Sequence, residues 1–328
     1  MLSPSRRRLL IRGSILGVAA TTGLAFAAPA SVLRIGYQKS STLITVLKAQ
    51  GKLEAALAPL GVSVSWSEFA SGLPLTEALN AEAVDFSADV ADTVPIFAQA
   101  AHARFVYVAQ EAPSPGAQAI IVKRAGALRT LADLRDKDIA VTKAAGSHYL
   151  LLAALAQANV PAEAVRIHYL TPADGRAAFE NGSVDAWVTW DPYVASVDQQ
   201  PDVRVLADGK GLATYQRYYL ASTRFAEARP EVIAVVYAQL RDAGQWVRSA
   251  PQDAARLLAP IWGLDAATIE RANARRSYLV REVSAANFGE QQKIADTFFK
   301  AHLLPAPVEP ARAERWDFAQ QRAAAIGV

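Results

Sequence analysis

The 328-residue chain has no cysteine, and its one methionine is the initiator. Without thiols there can be no disulfide, thiol nucleophile, Cys-containing metal site or lipid anchor on a cysteine at a cleavage point. The four histidines, His102, His148, His168 and His302, share no metal-like spacing. The phosphate-binding loops G-x-x-x-x-G-K-[ST] and G-x-G-x-x-G are missing, as are H-E-x-x-H and G-x-S-x-G. No metal or cofactor is therefore expected. Nor does the folded part carry a basic excess. The formal charge of +3 rests on Arg6, Arg7, Arg8 and Arg12; without the first 27 residues, 30 basic side chains face 31 acidic ones. A protein that binds nucleic acid keeps its positive charge in the folded part, so nucleic acid is not an expected partner.

Those first residues read as an export signal. Ser5-Arg6-Arg7-Arg8-Leu9-Leu10 is a charged opening, an apolar stretch runs from about Ile15 to Phe26, and two A-x-A patterns follow, ending at Ala27 and Ala30. The paired arginines behind a serine resemble a twin-arginine signal. Gly17, Thr21, Thr22 and Gly23 interrupt the apolar stretch and argue against a retained anchor. No later segment is long and apolar enough to span a bilayer. The expectation is a signal peptide over 1–30 and a soluble protein freed into a Gram-negative periplasm.

Beyond it, strands and helices alternate. Strands are expected over 32–37, 62–66, 84–87, 105–109, 119–122, 139–142, 165–169, 184–189 and 203–206, with helices between most of them. That order predicts an α/β protein with mainly parallel sheets. An internal echo divides it in two. Residues 78–86, ALNAEAVDF, match 178–186, AFENGSVDA, at an offset of one hundred. After Tyr218 the strands stop, and the remaining helices, including 230–248, would have to pack on an existing lobe. The expected order is lobe 1 (31–115 and 217–328) interrupted by lobe 2 (116–216). The crossings fall near 113–116 and 211–218, with a cleft between the lobes that closes about a hinge.

Helix N-termini fall at several strand ends: Ser40, Ser41 and Thr42; Asp89, Val90 and Ala91, leading to Thr93; and Gly146, Ser147 and His148. Free N–H groups and the helix dipole favour an anion there, and hydroxyls add donors without formal charge. A compact, acceptor-only head group such as a sulfonate or nitrate fits. The run from Tyr169 to Tyr193, YLTPADGRAAFENGSVDAWVTWDPY, supplies a cover. Thr171-Pro172 starts a helix and Asn181-Gly182 stops it. The following strand then carries Trp190 and Asp191 to its carboxyl end, where open α/β sheets meet ligands. Trp190, Tyr193 and Tyr215 would cover an apolar tail. Asp191 is either a ligand neighbour or the cap of the next helix.

These residues resemble a known family. Tyr169-Leu-Thr-Pro-Ala-Asp174, Val184-Asp-Ala-Trp187 with Trp190-Asp-Pro-Tyr193, Ile35-Gly-Tyr-Gln-Lys39, Pro95-Ile-Phe-Ala-Gln-Ala-Ala101 and Ser147-His148 followed by Leu150-Leu-Leu152 look like the aliphatic-sulfonate-binding proteins of ABC importers. Those are type II periplasmic binding proteins, near the taurine- and nitrate-binding groups. The resemblance covers about Leu33 to Trp316. It implies a two-lobed fold, a ligand in the interlobe cleft, no catalysis, and a monomer that delivers its anion to a membrane permease driven by a separate ATPase. Its ligand-facing loops would include Gln38, Ser40, Ser41, the Asp89 loop, Gly146, Ser147, His148, Trp190 and Asp191.

Two departures stand out. The family's glycine-containing G-S-T-G-D-x-P-P loop is here Ser87-Ala-Asp-Val-Ala-Asp-Thr-Val-Pro95, without glycine. Its Asp89 would be an unwelcome neighbour for an anion. Ser40 also stands where the family often has glycine. Nitrate, taurine or a sulfate ester is an alternative ligand. A synthase of the thiamine-pyrimidine precursor is the enzyme alternative, but it shares this wiring and carries a cysteine-rich motif that this chain lacks.

Overall fold

The computed structural model describes residues 31–321; the expected signal peptide lies outside them. Twelve strands are β1 (Ser31–Gln38), β2 (Val62–Phe69), β3 (Phe86–Ala91), β4 (Phe105–Glu111), β5 (Gln118–Lys123), β6 (Asp138–Val141), β7 (Arg166–Tyr169), β8 (Ala186–Trp190), β9 (Val203–Asp208), β10 (Arg217–Ser222), β11 (Val280–Arg281) and β12 (Glu314–Arg315). Eleven α-helices are α1 (Thr42–Gln50), α2 (Lys52–Leu57), α3 (Gly72–Asn80), α4 (Val94–Ala100), α5 (Gly146–Gln157), α6 (Pro172–Glu180), α7 (Thr223–Ala228), α8 (Pro230–Ser249), α9 (Pro251–Trp262), α10 (Ala266–Ala274) and α11 (Phe288–Lys300).

The strands form two sheets, one per lobe. The first has the order β11-β4-β10-β3-β1-β2, with β12 beside β4; the second has the order β7-β6-β8-β5-β9. In each, three consecutive parallel strands are followed by one inserted antiparallel strand and then a fourth strand. The inserted strands, β10 and β5, come directly after the chain crosses between lobes. The sheets are therefore mixed around a parallel core. The expectation that strands end at Tyr218 is corrected: β10 is a central strand of the first sheet. Its segment, Arg217-Tyr-Tyr-Leu-Ala-Ser222, is buried throughout, so it shows no alternation.

The echo at an offset of one hundred is a repeated structural device. Asp85 donates its N–H to the Arg34 carbonyl (2.8 Å) and its carboxylate accepts the Arg34 N–H (2.9 Å). Asp185 does the same with Asp138, at 2.8 and 3.0 Å. In both lobes this reciprocal pair fixes the register of the third strand against the first. The helix before it ends alike in both, with N–H groups at 83 and 84, and at 183 and 184, bonding the carbonyls of Ala78 and Ala178.

The long helix α8 buries Val232, Val236, Leu240 and Val247 against Leu43 and Leu47 of α1 in the first lobe's core. This is the amphipathic stripe its sequence presents. The last helix, α11, departs from the expectation that everything after residue 217 packs on the first lobe. Ile294, Ala295 and Phe298 lie in the core formed by α5 of the second lobe, while Gln291 bonds Tyr107 and the Asp92 carbonyl of the first. The Phe298 ring sits 4.9 Å from Phe97 and 5.1 Å from His148, edge-on to both.

Candidate functional site

The carboxyl ends of the parallel strands of both sheets meet at one cleft. A small cavity there is lined by Gln38, Gly72, Ala91, Val94, Ala145, Gly146, Trp190, Tyr215 and Arg217. A second small cavity lies between Ser40, Thr42 and Arg276 on one lobe and Asp191 and Pro192 on the other. A further depression, around His102, Arg104 and residues 305–309, lies at the opposite end of β4, and none of its lining residues carries a buried, unpartnered polar atom.

Local chemistry places the walls. β1 ends at Gln38, and the turn into α1 is closed by the Ser41 hydroxyl, which accepts the Gln38 N–H. The Gln38 amide donates to the Asp89 carbonyl at 3.2 Å. The α5 N-terminus is reached through Ala144, whose φ of +62° is unusual for a residue with a Cβ. Its N–H donates to His148 Nδ1 and its carbonyl accepts the Thr93 hydroxyl at 2.6 Å, a bond between the lobes. Gly146 follows, so close to the facing wall that an added Cβ would lie 2.6 Å from the Tyr215 ring and 3.2 Å from Ala91. Trp190 ends β8 and stands edge-on to Tyr193.

Beneath the cavity lies a buried charge network that the sequence reading did not anticipate. Arg217 is 2% exposed; its Nε is 2.6 Å from Asp89 Oδ2, and its Nη1 donates to the Tyr215 hydroxyl at 2.7 Å. Its Nη2 donates to the Asp89 carbonyl at 2.7 Å and to the Ser40 hydroxyl at 3.4 Å. Arg276 bonds Asp89 Oδ2 (2.9 Å), Glu111 Oε2 (2.7 Å) and the Ser40 carbonyl (3.1 Å). Two guanidinium groups thus balance two carboxylates. Burial lowers the pKa of both arginines, but the facing carboxylates outweigh it and raise both above the ordinary value. The Asp89 region is β3 rather than a loop, and Asp89 points into this network. Its charge is neutralised twice, which removes the conflict expected between Asp89 and an anion.

The thirteen residues singled out from the sequence divide accordingly. Gln38, Ala91, Gly146, Trp190 and Tyr215 line the main cavity; Ser40, Thr42 and Asp191 line the smaller one. Ser41, Asp89, Val90, Ser147 and His148 lie behind the walls of both. His148 is wholly buried between Tyr169 and Phe298, and burial, helped by Lys143, lowers its pKa to about 4. Thr42 bonds the Tyr278 hydroxyl. Asp191 caps no helix, since only turns follow it; it accepts the Ala195 N–H and pairs with Arg275 at 3.0 Å, while burial pushes its carboxyl up to about 7. The reading missed Arg217, Gly72, Val94 and Ala145. For Arg217 a signal was present: a lone charge opening the apolar run Tyr218-Tyr-Leu-Ala221.

Comparison with known proteins gives one consistent result. The NMT1/THI5-like family matches residues 59–254. A putative aliphatic sulfonates-binding protein of Escherichia coli is 38% identical over 92% of this chain and 95% of its own length. Among solved structures, the periplasmic aliphatic sulphonate binding protein SsuA from E. coli superposes with a TM-score of 0.79 at 38% identity, over 87% of this chain and 97% of that one. The alkanesulfonate-binding protein SsuA from Xanthomonas axonopodis pv. citri, bound to MOPS, superposes with a TM-score of 0.82 at 37% identity, over 88% and 99%.

Proposed function

The chain belongs to the NMT1/THI5-like family, in the branch of the aliphatic-sulfonate-binding proteins, and from that premise we propose that it is the periplasmic solute-binding component of an ABC importer for an alkanesulfonate or related organosulfur anion. Residues 31–115 and 217–287 form one lobe and 116–216 the other, with α11 resting across both. The observation that carries the reading is Arg217, a buried guanidinium in the cavity wall opposite the α5 N-terminus. A sulfonate is fully ionised and accepts bonds on three oxygens. Arg217, the Gln38 amide and the first-turn N–H of Gly146 would hold it. Trp190, Val94 and Ala91 would cover its carbon chain.

Binding rather than catalysis is favoured because the residues lining the main cavity include no serine, histidine or carboxylate to act as nucleophile or base. The lobes close over the solute, and the monomer presents it to a permease served by a separate ATPase. Export uses the N-terminal signal, which we read as twin-arginine in type.

A thermal-shift panel of alkanesulfonates, taurine, sulfate esters and nitrate tests the reading. A ligand at one hundred times its Kd should add about 2.7 kcal/mol of stability. Absence of a shift with every member would dismiss the substrate class, and a shift with nitrate alone would move the chain to another class.

A further inference from the structure

Arg271 of α10 and Arg275, the residue that ends that helix, grip the second lobe. Arg275 Nη1 is 3.0 Å from Asp191 Oδ1, and its Nη2 bonds Asp198. One turn earlier, Arg271 Nη2 donates to the Ala195 carbonyl at 3.0 Å, and its Nε is 3.7 Å from Asp198. A bond from Arg271 to the Thr268 hydroxyl (3.1 Å) steadies that side chain. The two ends of this contact belong to different bodies. α10 packs on α9, whose Trp262 shares the first lobe's core with Ile269 of α10. The turn after β8 is anchored in the second lobe, where Val194 and Val197 pack with Ala119, Phe179 and Trp187. The contact begins beside a crossing, where Ser277 bonds the Ser114 hydroxyl and the Ala112 carbonyl, and runs outward along α10. The aspartates are almost buried and the arginines a quarter to a third exposed.

We propose that Arg271 and Arg275 are positioning residues: with Asp191 and Asp198 they form an ionic brace that holds the lobes shut and sets solute affinity without touching the solute. The inference rests on the reading that the lobes close on a ligand. Opening returns two guanidinium and two carboxyl groups to water, so the brace contributes only what partly exposed pairs contribute, and it weakens with salt. Affinity scales with the fraction of molecules in the competent, closed state.

The absence of native cysteine allows direct measurement. Spin labels on Glu77→Cys and Glu163→Cys, both exposed and one on each lobe, report the interlobe distance. In the parent, 0.5 M NaCl should lengthen that distance. Arg271→Met with Arg275→Met should lengthen it at low salt, abolish the salt response, and weaken binding of ethanesulfonate about tenfold, mainly through faster release. Asp198→Asn should do the same in part, and serves if the double variant fails to fold. Distances and salt responses that match the parent in the folded variants would overturn the brace. A brace response in a protein that binds no sulfonate would retain the brace and dismiss the substrate class.

Discussion

A methyl group at Gly146 separates closing from folding. The glycine opens α5 on the second lobe, at a φ that any residue can adopt, and alanine favours a helix. Within its own lobe the substitution should be neutral or slightly stabilising. Across the cleft it is not. The new Cβ would stand 3.2 Å from the Ala91 Cβ of the first lobe and 2.6 Å from two ring carbons of Tyr215, on the crossing segment that the Gln216 N–H ties to Asp92 of the first lobe. Tyr215 cannot easily yield, because it is buried and Arg217 holds its hydroxyl. Relieving the overlap means tilting the lobes apart, at a cost typical of overpacking, about 1–3 kcal/mol. All of that cost falls on the closed state, so the Kd for a sulfonate should rise roughly 5- to 150-fold while the melting temperature without ligand stays within about 2 °C. Titration calorimetry beside thermal melts checks both halves. An affinity within twofold of the parent, or a melting-point loss that accounts for the whole binding loss, would refute the assignment of Gly146 to the closing surface.

Other expectations follow from named contacts. Arg217→Lys keeps the charge but loses the planar fork that spans Asp89, Tyr215 and the cavity. Sulfonate binding should weaken by about two orders of magnitude, and calorimetry showing parental affinity would remove Arg217 from the site. Asp92 is buried and its carboxyl is raised to about 7, against the pull of the Gln216 N–H and the Thr214 hydroxyl. Between about pH 4 and 7 the folded protein therefore keeps a proton that the unfolded chain has lost. The stability this lends is full below about pH 4 and disappears as pH rises through 7. Asp92→Asn removes that dependence, so its melting temperature relative to the parent should be higher at pH 8 than at pH 5; a constant difference would count against the assignment. Asp85→Ala should cost about 1–3 kcal/mol in denaturant unfolding, because Asp85 is buried and also holds the Arg34 guanidinium through two bonds. The exposed Asp185 makes only the backbone pair, and its alanine variant should cost less than about 1 kcal/mol. Equal costs would show that the echo, not burial, sets the energy.

The strand–helix order, the repeat and the carboxyl-end placement of Gln38, Gly146 and Trp190 were legible in the chain because each rests on short-range rules. Thr171 and Pro172 start α6, which ends at Glu180 just before Asn181-Gly182, as their residue types dictate. β10 was not legible as a strand because all six of its residues are buried, and a buried strand has no alternation to read. The Asp89 segment looked like a loop because its aspartates suggest turns; two arginines from elsewhere keep it in a sheet. His148 sits at a helix start in sequence, yet its ring turns inward to an aromatic from α11, which only the folded chain brings near.

The sequence by itself determined the two-lobed α/β wiring, the hundred-residue repeat and the family, all of which follow from local periodicity, caps and motifs. Only the tertiary structure decided what the charges do. Asp89 meets Arg217 across 128 residues and Arg276 across 187, and Arg276 meets Glu111 across 165. A carboxylate's effect on an anion depends on which cations share its low-dielectric surroundings, and those partners are chosen by the packing of distant segments rather than by neighbours in the chain.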